Sequence, residues 1–106
     1  MPRYLLEVSY TLDGARGVVA KGGSARKAAA QAAAVSLGGQ MEAFYFAFGG
    51  TDVFAVADLP DNVAAAALAL TVTASGGATV RTVVLLTSEE MDAAAQKTVK
   101  YTAPGA

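Results

Sequence analysis

The sequence predicts an α+β fold of ferredoxin-like order, βαββαβ. It combines a four-stranded antiparallel sheet, two helices on one face and an added C-terminal helix. Three observations carry this: segments of period 2 alternate with Ala-rich helical segments, paired glycines divide them, and the resulting order is the split βαβ motif.

Residues 3–10 alternate, with Tyr4, Leu6, Val8 and Tyr10 on one face and Leu5, Glu7 and Ser9 on the other, which predicts a strand. Asp13-Gly14 signals a turn, and a short helical turn is expected over 15–21 before Gly22-Gly23 breaks the chain. Ser24 is placed to cap the next helix, 25–37. That helix is rich in Ala, the strongest helix former, and such small side chains allow close packing. Gly38-Gly39 ends it.

The second strand is expected over 40–48, with Phe44, Phe46 and Phe48 on the side of Glu42, and Met41, Ala43, Tyr45 and Ala47 on the other. Gly49-Gly50 reads as a hairpin turn. The third strand, 52–59, sets Val53, Ala55 and Ala57 opposite Phe54 and Val56. Pro60 stops it, and Asp61 or Asn62 caps a helix through about Ala74. After Gly76-Gly77 comes a fourth strand, 79–86. Thr87-Ser88-Glu89-Glu90 is a capping box opening a last helix to about Lys97. A single domain over 1–98 is expected, with 99–106 a flexible or partner-docked tail.

Both faces of the second and third strands carry apolar groups. A sheet with one face in water should alternate apolar and polar side chains. Self-association is therefore expected, as a homodimer or higher homo-oligomer packed sheet to sheet.

Composition narrows the chemistry. The 106 residues contain no His and no Cys. That excludes Ser-His-Asp and Cys-His arrangements, disulfides and the usual zinc sites. No metal or cofactor is expected, and an enzyme is the less favoured reading. Net charge is −1, without the basic footprint that nucleic-acid binding requires. The longest apolar run, around 63–72, is too short for a membrane span, and no signal-peptide pattern opens the chain, so a cytoplasmic location is expected.

Several segments together resemble a known family. They are Tyr4-Leu5-Leu6; Ser9-Tyr10-Thr11; Lys21-Gly22-Gly23-Ser24-Ala25-Arg26-Lys27; Leu37-Gly38-Gly39; Glu42-Ala43-Phe44-Tyr45-Phe46-Ala47-Phe48-Gly49; Leu59-Pro60-Asp61-Asn62-Val63; and Leu85-Leu86-Thr87-Ser88-Glu89-Glu90-Met91. The chain is similar to the GYD-domain family, small bacterial proteins of unassigned biochemical role. The resemblance implies a ferredoxin-like fold of dimeric α/β-barrel type. The Gly-Tyr-Asp of the family name falls at Gly50-Thr51-Asp52, so Thr51 stands where the family has Tyr.

Candidate site residues follow from charge and placement. Lys21, Gly22, Gly23, Ser24, Arg26 and Lys27 form a glycine turn entering a helix with three cations, which suits a small anion. The G-x-x-x-x-G-K-[ST] spacing of a nucleotide-binding loop is missing. Phe44, Tyr45, Phe46 and Phe54 are candidates for an interface or a pocket. Glu7, on a mostly apolar strand, is the speculative catalytic group. Asp52 is expected to bond backbone N–H groups at a hairpin end, and Glu89, Glu90 and Asp92 to serve a helix start. The function expected is a small homo-oligomeric protein with a small molecule as candidate ligand. A cofactor-free, monooxygenase-like enzyme and an anion or nucleotide sensor are the alternatives.

Overall fold

A computed structural model describes residues 1–105; Ala106, the end of the expected tail, lies outside the described residues. The elements run β1 (Arg3–Tyr10), α1 (Leu12–Lys21), α2 (Gly23–Ser36), β2 (Gln40–Phe46), β3 (Val53–Asp58), α3 (Asn62–Ala74), β4 (Ala78–Leu85) and α4 (Ser88–Ala95). The four strands form one antiparallel sheet in the order β2-β3-β1-β4. The ferredoxin-like α+β fold read from the sequence is the fold observed.

Alternation along β1 and β3 decides which face is covered. Tyr4, Leu6, Val53, Ala55 and Ala57 are buried, and they meet Ala34 of α2 and Ala65 and Leu68 of α3. The opposite set on these strands is Leu5, Glu7 and Ser9 with Phe54 and Val56, and neither α2 nor α3 covers it. Tyr4 is 1% exposed, and its hydroxyl donates to Asn62 Oδ1 at 2.7 Å, so the start of α3 is tied to the core.

β2 departs from simple alternation. The β2/β3 register shifts between Met41 and Ala43, a β-bulge at Glu42. Met41, Phe44 and Phe46 thereby pair with Ala57, Ala55 and Val53 on the helix side, while Ala43 and Tyr45 pair with Val56 and Phe54 on the other. The expectation that Met41 shares a face with Tyr45, and Glu42 with Phe44, is corrected: one inserted residue reverses parity. β2 also ends at Phe46, and Phe48 is fully exposed in the loop to β3.

The helix starts differ in two places. α1 is a full helix of 10 residues rather than a short turn, because Thr11 caps it by accepting from Gly14 N–H. Asp13 and Gly14 lie inside its first turn. Thr11 N–H also donates to the Gly77 carbonyl at 3.0 Å, which brings Gly14 against Gly77 too closely for a side chain at Gly14. Gly22, at φ 84°, is both the C-cap of α1 and the N-cap of α2. Glycine adopts that left-handed φ without steric cost. Ser24 therefore sits within the first turn of α2 and caps nothing. The other two caps are as expected: Asp61 accepts from Ala64 N–H, and Thr87 with Glu90 completes the capping box of α4.

α4 stands apart. It has no buried residue and makes no extended contact with another element among the described residues. Every residue from Leu86 to Gly105 is exposed. The radius of gyration is 16.8 Å, against about 13 Å for a compact chain of 100 residues. The C-terminal arm is thus a projection from the domain. No helix is long and apolar enough to cross a membrane among the described residues.

Candidate functional site

Two regions could carry function, on opposite sides of the sheet. The first is a chamber of about 160 Å³ between α2, α3 and the helix-facing side of the sheet. Leu6, Val8, Val53, Ala55, Ala78 and Val80 form its floor. Ala29, Ala30 and Ala33 of α2 and Leu68 and Val72 of α3 form its walls, with Met41 and Phe44 at the β2 side.

The chamber follows from side-chain size. α2 meets the sheet closely at Ala34, which is fully buried. Further toward its start, Ala29, Ala30 and Ala33 line the chamber, and their small side chains leave space unfilled. The Ala-rich helix expected to pack closely does so over only part of its length.

The chamber opens beside a second hollow of about 240 Å³, lined by Asp13, Gly14, Gly17, Lys21, Ser75 and Gly77. Arg26, Tyr10, Val72 and Ala78 line both spaces. Arg26 therefore stands where the apolar interior meets a vestibule that holds Asp13 and Lys21. Among the described residues the ion pairs are those of Arg3, so neither Arg26 nor Lys21 has a carboxylate within salt-bridge distance.

The glycine-turn cations are consequently divided. Lys21 and Arg26 share the vestibule. Lys27 lies elsewhere, in a hollow with Gln31, Glu42 and Tyr45 beside β2. Adjacent helical residues point roughly 100° apart, which separates Arg26 from Lys27. Gly22 N–H donates to the Val18 carbonyl at 2.7 Å, and Gly23 lies against the Phe46 ring.

The aromatic candidates divide as well. Phe44 lines the chamber, and Phe46 stays on the helix side, 5.3 Å from Phe44 in an edge-to-face arrangement. Tyr45 and Phe54 are cross-strand neighbours on the open face, 71% and 40% exposed.

That open face is the second region. Leu5 sits between Val56 and Val83, so three apolar residues form a row across β3, β1 and β4. The next row runs Tyr45, Phe54, Glu7, Arg81. Glu7 is half-buried and directly opposite Arg81, and it faces away from the apolar chamber.

At one end of this face Arg3 Nε donates to Asp58 Oδ1 at 2.8 Å, and Gln40 Nε2 donates to Asp58 Oδ2 at 3.3 Å. The Arg3 hydrogen bond outweighs the opposing effect of burial and holds the Asp58 carboxyl at about 2. A hollow separates this cluster from Thr87 and Glu90 at the start of α4. At the other end Tyr10 N–H donates to Asp52 Oδ2 at 2.8 Å, the backbone-bonding role expected of Asp52.

Sequence alone gives no sign that Arg26 and Tyr10 both line the mouth of the chamber. Arg26 reads locally as part of an anion turn, and nothing near it in sequence announces the cavity. In comparison with known proteins, the family model described as GYD domain matches residues 4–95. No curated protein and no solved structure matches the chain.

Proposed function

The chain belongs to the GYD domain family, and on that footing we propose that it is a self-associating protein whose copies pair through their open sheet faces. One observation carries the reading. The face not covered by α2 and α3 bears Leu5, Val56, Val83, Phe54 and Tyr45, and α4 projects away instead of folding over it. Each 100 Å² of such surface removed from water is worth about 2.5 kcal/mol.

Charge supports the same pairing. Glu7 and Arg81 are neighbours but form no ion pair within the chain among the described residues. A two-fold axis through this row brings Glu7 of one copy toward Arg81 of the other, a self-complementary arrangement. The exposed arm of α4, with Met91, Val99 and Tyr101 uncovered, then rests on the second copy.

The variant that tests this is Phe54→Asp. Phe54 lies outside the core, so the fold persists while the pairing face acquires a charge that would be buried without a partner. Sedimentation velocity should give an oligomer for the parent and a monomer for the variant. An unchanged sedimentation coefficient for a folded variant rejects the open face as the interface.

A further inference from the structure

The chamber on the helix side has a ligand chemistry of its own. Its interior is apolar, from Val8, Leu68, Met41 and Phe44, and its volume of about 160 Å³ is close to the ~150 Å³ of a protein cavity that takes up benzene. The charged group at its mouth is Arg26, and the vestibule beyond adds Lys21 and Asp13. Two cations and one carboxylate leave this entrance with one net positive charge. Neither cation is neutralised by an ion pair within the chain among the described residues. A guanidinium presents paired N–H donors that match a carboxylate, and it stays charged at all relevant pH.

We propose that this chamber binds a small amphipathic organic acid: a monocarboxylate whose hydrocarbon or single-ring body fills the apolar space, with its carboxylate against Arg26. A body without the charge leaves Arg26 unused, and a charge without the body leaves the interior unfilled. A polyanion such as a nucleotide would face Asp13 at an entrance that carries only one net positive charge. The inference is independent of self-association, because the chamber and the open face lie on opposite sides of the sheet.

Isothermal titration calorimetry on the full chain tests it, with phenylacetate and its uncharged counterpart phenylacetamide as probes. Phenylacetate should bind at least roughly tenfold tighter, the scale of a charge-assisted hydrogen bond. Arg26→Gln should abolish that advantage and leave phenylacetamide binding as it was. Ala29→Leu, at an exposed position on the chamber wall, should weaken both probes with the circular dichroism spectrum unchanged. Equal affinity for the two probes, no binding of either, or an Arg26→Gln variant that keeps the preference for the acid would overturn the proposal. Running the same titrations on Phe54→Asp separates this result from the state of assembly.

Discussion

Arg3 and Asp58 face each other across β1 and β3, with Arg3 Nε 2.8 Å from Asp58 Oδ1. Their bond lies at one end of the sheet, where the Leu59 N–H also donates to the Pro2 carbonyl at 3.1 Å. The pair thus fastens the beginning of β1 to the end of β3, at the edge of the proposed pairing face.

Acid should weaken this fastening in a defined window. The folded carboxyl of Asp58 sits at about 2, below the ordinary value of ~3.9. Its contribution to stability is therefore complete above about pH 4 and is lost as pH falls toward 2. The gain is modest because the Arg3 side chain is half exposed. Urea midpoints between pH 2 and pH 5 should fall less steeply for Asp58→Asn than for the parent. Parallel curves would contradict the assignment.

Gly14 should tolerate no side chain. A Cβ there collides with the Gly77 carbonyl, part of a main-chain contact held by Thr11. Gly14→Ala forces α1 away from the turn between α3 and β4. Overpacking costs of about 1–3 kcal/mol correspond to a fall in Tm of roughly 5–15 °C. Gly17→Ala, which meets open space in the same helix, is the control and should not lower Tm.

Tyr4→Phe should cost about 1 kcal/mol. The ring stays packed and the hydrogen bond to Asn62 is lost. Asn62 is exposed, so water can take over its carbonyl. A denaturant midpoint lowered by several times that amount would mean that the start of α3 depends on this bond far more than the packing indicates.

The arm offers a readout of assembly. α4 makes no extended contact with another element among the described residues, so in a single copy its amides should exchange rapidly with solvent. In the assembly they should be protected by the second copy. Hydrogen exchange should therefore be slow across 88–95 in the parent and fast in Phe54→Asp. Equal exchange in both would show that the arm does not lie on the partner.

Much of this fold can be read from local signals. The alternation from Tyr4 to Tyr10, the Asp61 cap and the box at Thr87 and Glu90 each involve neighbouring residues whose preferences agree with the structure. The bulge at Glu42 escapes such reading, because one extra residue in a strand changes no composition and only the partner strand reveals it. The Thr11 cap is masked locally, because Asp13-Gly14 is a stronger turn signal than a lone threonine. The chamber belongs to no single segment. It is bounded by the short side chains of Ala29, Ala30 and Ala33 together with residues of all four strands and α3, so its volume depends on tertiary placement.

The pairing proposed for the uncovered sheet face brings two copies of the chain together there. Sedimentation equilibrium of the parent chain over a dilution series measures this directly. The expected result is a whole multiple of the chain mass that dissociates only on dilution or on introducing charge at Phe54. A mass equal to one chain at every concentration would contradict it.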